Sequence, residues 1–242
     1  MNIKEKLGMD RAGLTQNGPI NIVIFGDSVS HGALNGNYDY EGVYWNLLKK
    51  RLNALRDYVP VNMINASIGG TSASQSVARL DSQVLKHEPD LIIVCFGLND
   101  VNGTLDAYLG ALSEIFQRSR ESGAEVIFMT PNMLNTYVAE DTPMQYYEYA
   151  HKTAKMQTEG RMDEFIYSAT KLADDMGIPV CDCYSKWKKI SETEDTTMLL
   201  VNRINHPTSA MHELFAEALF ETIFASEEDK SVGEGDSTMY RA

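Results

Sequence analysis

Apolar positions along this chain follow two alternating rhythms. Short, nearly unbroken apolar runs recur at Ile20–Asp27, Val61–Asn65, Pro89–Gly97, Ala124–Pro131 and Ile178–Asp182. Between them lie longer stretches with apolar residues three and four apart: Gly42–Leu55, Ser72–His87, Thr104–Gly123, Gly160–Gly177 and His206–Phe224. The first kind reads as strands and the second as amphipathic helices. The run at Pro89–Gly97 has no polar face, as expected of a strand covered on both sides. Gly123 and Gly177 stand where two of the helices should close, and Pro207 stands near the start of the last.

Strands alternating with helices imply a parallel sheet with helices on both faces. For five strands the expectation is an α/β, flavodoxin-like three-layer sandwich of order 2-1-3-4-5. Ligands in such sheets bind beyond the carboxyl ends of the strands, where the order reverses. The residues after the first three strands should therefore converge. This domain is expected over residues 20–225, after an N-terminal extension at 1–19 and before an acidic, apolar-poor tail at 226–242 that is expected to be disordered. The tyrosine-rich stretch Asn132–Thr158 breaks the alternation. It is either an overhang above the site or a surface excursion containing a helix.

Composition narrows the class. A net charge of −13 disfavours a nucleic-acid partner. No run has the length of a membrane span, and the polar N-terminus has no apolar core of a secretory signal, so a cytoplasmic location is expected. Cys95, Cys181 and Cys183 do not form a disulfide framework; all three are expected in the core. No His/Asp/Glu cluster has metal-ligand spacing, and neither a metal nor a cofactor is expected.

Chemistry-bearing residues follow each early strand. Gly26-Asp27-Ser28 follows the first, "NASIGGTS" with Gly69 and Gly70 the second, and "GLNDVNG" with Asn99 and Asp100 the third. "NRINHP", with His206, comes near the end. Each is a turn when taken alone. Together, in this order and at one sheet edge, they resemble the SGNH hydrolases, also called the GDSL family, over nearly the whole domain.

The resemblance implies an ester hydrolase without cofactor, acting on a small-molecule ester. Ser28 would be the nucleophile and His206 its general base. The oxyanion donors would be the backbone N–H groups of Ser28 and Gly70 and the side-chain amide of Asn99; Gly69 is the alternative to Gly70. Asp27 and Asp100 would support their turns. One position departs from the family: three residues before His206, where an aspartate usually orients the imidazole, stands Arg203. Arginine cannot accept the ring N–H. Asn202, a backbone carbonyl or Asp182 remain as orienters.

His31 and His212 are expected on a solvated turn and a helix surface. The leading substrate is a small acyl group, such as acetyl, on a polar alcohol such as a carbohydrate. Lipid or thioester hydrolysis and a non-catalytic acyl- or sugar-binding module are the alternatives.

Overall fold

A computed structural model describes residues 2–34 and 37–225. The acidic tail, residues 226–242, lies outside the described residues. Five parallel strands form the sheet: β1 (Ile20–Gly26), β2 (Val61–Asn65), β3 (Leu91–Cys95), β4 (Glu125–Met129) and β5 (Val180–Cys181). Their order is β2-β1-β3-β4-β5, the expected 2-1-3-4-5. β1 pairs with β2 from Ile20↔Val61 to Ile24↔Asn65, and with β3 from Ile22↔Leu91 to Gly26↔Cys95. Ile22, Val23, Ile24, Phe25 and all of β3 are buried, so the middle of the sheet has no solvent face.

Helices cover both faces. Tyr44–Asn53 packs on the last helix, Ser209–Phe224. The other group contains Leu105–Glu121 and Arg161–Asp175. The last helix starts at Ser209 after Thr208 rather than at His206. Pro207 instead bridges to Leu200 in a two-residue antiparallel contact. His206 is thereby left on a loop.

Three elements differ from the sequence expectation. The N-terminal extension, to which the apolar pattern assigns no element, forms helices Ile3–Gly8 and Arg11–Asn17, capped by Asn2 and Asp10. Ile3, Leu7 and Leu14 reach the core, three widely spaced apolar residues that leave the segment polar on average. The stretch Ser72–His87 is not one helix but a chain of single turns, α over Ala73–Ser76 and Leu80–Gln83 and 3₁₀ over Val77–Arg79 and Leu85–His87. The Arg79 guanidinium turns back onto the Ala66 carbonyl, on Ser76 Oγ at 3.0 Å and over the Phe25 ring, which favours the tighter turns. A further helix, Cys183–Ile190, follows β5 with Asp182 as its N-cap. Its signal was present in the sequence: an aspartate, then Cys183, Tyr184 and Trp187 on one face and lysines in the last turn.

Candidate active site

β1 ends on a glycine because nothing larger fits. A Cβ at Gly26 would lie 2.7 Å from the Cys95 carbonyl oxygen and 2.5 Å from Ser30 Oγ. Asp27 then leaves the strand and caps the single helical turn Ser28–His31. Its Oδ1 accepts the Val29 N–H at 3.0 Å, and its carbonyl accepts the His31 N–H at 2.8 Å. Side-chain capping of this kind satisfies donors that a helix start otherwise leaves free. Ser28 is thus presented at the first position of a helical turn, at the carboxyl edge of the interior strand β1.

Asp27 is enclosed. Burial, with a smaller push from the nearby Asp100 carboxylate, raises its carboxyl to about 7. Asp100 is buried as well and raised to about 6, chiefly by desolvation. Its Oδ1 accepts the Ala73 N–H at 2.8 Å, which joins the turn after β3 to the segment after β2. Asp27 thus caps its own turn, whereas Asp100 acts on the backbone of the neighbouring segment rather than on the turn that contains it.

Ser28 Oγ lies 2.9 Å from His206 Nε2. These two groups are far apart in the chain, and the fold brings them to hydrogen-bond distance. Three donors stand nearby. Neither the Ser28 nor the Gly70 N–H has a protein acceptor among the described residues. The Asn99 amide nitrogen is 3.1 Å from the Thr71 carbonyl and 3.4 Å from Asp27 Oδ2. The second contact is long, so that proton is the one available to a ligand. The two glycines are distinguished here. Gly69 donates its N–H to His31 Nδ1 at 3.2 Å, whereas Gly70 turns at φ 77° with its N–H uncommitted. Such a left-handed turn suits glycine.

Serine, both glycines, Asn99 and His206 line one cleft of about 410 Å³. Its walls include Asn37, Tyr38, Tyr146, Tyr149, Asn202 and Asn205. Tyr146 and Tyr149 come from the stretch Asn132–Thr158, which therefore overhangs the site. The root of this overhang is fixed: Asn135 donates its backbone N–H to the Ile204 carbonyl at 2.9 Å and its side-chain amide to Ala150 O, also at 2.9 Å.

The surroundings of His206 answer the question raised by Arg203. Arg203 faces away, onto Asp141: its Nε lies 2.9 Å and its Nη2 2.8 Å from the carboxylate oxygens. Asn202 does not meet the imidazole through its side chain. Its Oδ1 instead accepts three backbone N–H groups, from Ile204 at 3.1 Å, Asn205 at 3.0 Å and His206 at 2.9 Å. Asp182 Oδ1 caps the helix that follows it, taking the Ser185 N–H at 3.0 Å and the Thr130 hydroxyl at 3.1 Å. Neither suggested orienter hydrogen-bonds the ring. Among the described residues the ring has one hydrogen bond, to Ser28. Burial without an anionic partner lowers the His206 pKa to about 4.

Two other histidines are placed differently from expectation. His212 is 2 % exposed, inside the last helix rather than on its surface. Its Nδ1 accepts the Tyr44 N–H at 3.3 Å, and burial lowers its pKa to about 4. His31 packs on Tyr38 with ring centroids 4.5 Å apart. Neither role has a sequence signal, because both depend on backbone N–H groups from distant segments. The three cysteines are buried and free, with the sulfurs of Cys181 and Cys183 3.7 Å apart. No helix among the described residues is long and apolar enough to cross a membrane.

The arrangement can form a serine alkoxide equivalent, take up its proton and hold an oxyanion. Comparisons with known proteins agree with that chemistry. An arylesterase of Vibrio mimicus is 29% identical over 147 residues, covering 60% of this chain and 70% of that protein. The acetylxylan esterase Axe2 of Geobacillus stearothermophilus superposes with a TM-score of 0.67 at 19% identity, over 86% of this chain and 95% of Axe2. LAE5, an α/β hydrolase from the metagenome of Lake Arreo in Spain, superposes with a TM-score of 0.67 at 21% identity, covering 84% of this chain and 94% of LAE5. The model of the GDSL-like lipase/acylhydrolase family matches residues 24–214, from the end of β1 through the histidine loop, and the chain belongs to that family of ester hydrolases.

Proposed function

We propose that the protein hydrolyses a small acyl ester, such as an acetate, of a polar alcohol, with Ser28 and His206 as a catalytic dyad. The observation that carries this reading is the 2.9 Å contact between Ser28 Oγ and His206 Nε2 beside uncommitted N–H groups.

The steps follow from the geometry. His206 is neutral at pH 7, because its pKa lies near 4, so Nε2 can accept the hydroxyl proton. As Oγ bonds to the ester carbonyl carbon, negative charge moves to the carbonyl oxygen. The Ser28 and Gly70 N–H groups and the Asn99 amide would receive it; donors aimed at that charge act mainly in the transition state. The imidazolium returns its proton to the leaving alcohol as the acyl–serine forms. Water, activated by the same nitrogen, then releases the acid. Without a carboxylate on Nδ1, the imidazolium is stabilised less than in a triad. Turnover should therefore be modest.

A short acyl group suits a cleft of about 410 Å³. Asn37, Asn202 and Asn205 beside the rings of Tyr38, Tyr146 and Tyr149 suit a hydroxyl-rich alcohol. The likeness to an acetylxylan esterase supports a carbohydrate acetate. The test is hydrolysis of aryl acetates and acetylated xylo-oligosaccharides by wild type and Ser28→Ala, with fluorophosphonate labelling of the serine. Stoichiometric labelling and release of acetate support the reading. Ligand binding with neither labelling nor hydrolysis would make the protein a non-catalytic binding module.

A further inference from the structure

We infer that His31 is a positioning residue for the oxyanion loop, holding Gly69 so that the Gly70 N–H faces the reacting carbonyl. This rests on the Ser28–His206 reading above. His31 closes the same helical turn that begins with Ser28. Its Nδ1 accepts the Gly69 N–H at 3.2 Å. One side chain thus joins the nucleophile's turn to the loop carrying the second backbone donor.

The other hydrogen bonds of that loop fall on its flanks. Ile68 donates its N–H to the Gly26 carbonyl at 3.1 Å, Thr71 donates its N–H at 3.4 Å and its hydroxyl at 2.8 Å to Ile68 O, and the Thr71 carbonyl accepts the Asn99 amide at 3.1 Å. Between them lie two adjacent glycines, the residues with the most backbone freedom. Gly70 has open space where a Cβ would stand, so no packing of its own fixes it. The His31 ring is itself held. It lies 4.5 Å from the Tyr38 ring, and Tyr40 stacks parallel to Tyr38 at 6.0 Å. A donor that is already in place costs no reorganisation when the oxyanion forms. Accepting through Nδ1 also requires a neutral ring with its proton on Nε2, and burial favours the neutral form of His31.

The test uses His31→Phe, which keeps a ring against Tyr38 but has no acceptor, and His31→Asn, whose Oδ1 can stand where Nδ1 stands. His31→Ala is the second acceptor-free variant should the phenylalanine fail to fold. All are measured as purified full-length chain on an aryl acetate, alongside Ser28→Ala and with thermal unfolding as the folding check. Loss of one oriented oxyanion donor typically costs about 10²–10³ in kcat, and a loosened one should cost less. The expected result is a fall in kcat of roughly 10-fold or more for the acceptor-free variants. Their KM should stay within about threefold, as befits an interaction made only in the transition state, and kcat should recover in His31→Asn. A change in KM alone would make His31 part of the substrate wall and overturn the inference. Equal losses in the asparagine and acceptor-free variants would overturn it as well. If Ser28→Ala is inactive while the acceptor-free variants keep wild-type kcat, this inference alone falls. If Ser28→Ala keeps its turnover, the dyad reading itself fails.

Discussion

The nucleophile turn and the histidine loop meet at 2.9 Å, yet they are built in opposite ways. Ser28 sits directly on the end of a buried interior strand. Its turn is closed by the residue before it, through Asp27 and the Val29 N–H. His206 lies on an irregular loop held by side chains. Asn202 gathers three backbone N–H groups of the loop itself. Asn132 donates to the Asn205 carbonyl at 3.0 Å, and Arg203 clamps Asp141. The first region is specified locally and the second by contacts across the chain. Amides acting on the backbone fix the loop that carries the imidazole, and among the described residues no carboxylate hydrogen-bonds the ring.

The largest effect should come from either half of the meeting point. Ser28→Ala and His206→Ala should each lower kcat roughly 10⁴-fold or more, read with an aryl acetate, while thermal unfolding stays near wild type. Retained turnover in the serine variant would remove it from the chemistry. Next comes Asn99→Ala, which should lower kcat by about 10²–10³ and leave KM much less affected. A change confined to KM would make Asn99 a binding residue.

The histidine loop itself is probed by Asn202→Ala. Three backbone donors would lose their acceptor, which should cost about 1–3 kcal/mol of stability and roughly 10-fold in kcat, as the histidine wanders from the serine. Asn202→Asp, which keeps the acceptor, should recover most of both. Urea unfolding together with kinetics separates this from a role on the ring, in which kcat would fall without loss of stability.

Acid should act on the half-buried His206 and the buried His212 in a fixed direction. The pKa values of His206 and His212 fall from 6.5 to about 4 on folding. Between those values the unfolded chain binds more protons, so their contribution to stability is full above pH 6.5 and declines toward pH 4. The raised carboxyls of Asp27 and Asp100 act with the opposite sign. The comparison must therefore be made between proteins. His212→Asn, which retains an acceptor for Tyr44, should lose less Tm than wild type between pH 6.5 and 4. Parallel Tm–pH curves would show that His212 does not titrate as placed. For the same reason the acid limb of kcat/KM should lie well below pH 6.5.

The smallest effects belong to the residues that only frame the site. Arg203→Ala should leave kcat within a few-fold, because its guanidinium faces Asp141. Asp182→Asn should cost about 1 kcal/mol or less as a weakened helix cap and leave kcat unchanged. A steep kcat loss in either variant would restore it to the chemistry.

What the sequence by itself determined is what arises over short range. The period of apolar residues specified the five strands; their order was the one expected of a flavodoxin-like sheet, and the pairing bears it out. The Gly-Asp-Ser, Gly-Gly and Asn-Asp turns marked one sheet edge, because strand ends in a parallel sheet share a direction. Only the tertiary structure decided how the second half of the site is held. That Gly70 rather than Gly69 keeps a free N–H depends on His31, from another strand's turn. The caps that Asn202 and Asp182 make are local, but that Asp182 also takes the Thr130 hydroxyl and that Arg203 turns onto Asp141 depends on distant segments that folding brings beside them. The same holds for His212, whose burial is set by Tyr44 across a helix interface. A polar side chain announces its capacity to hydrogen-bond; its partner is chosen by the packing of segments that the local sequence does not contain.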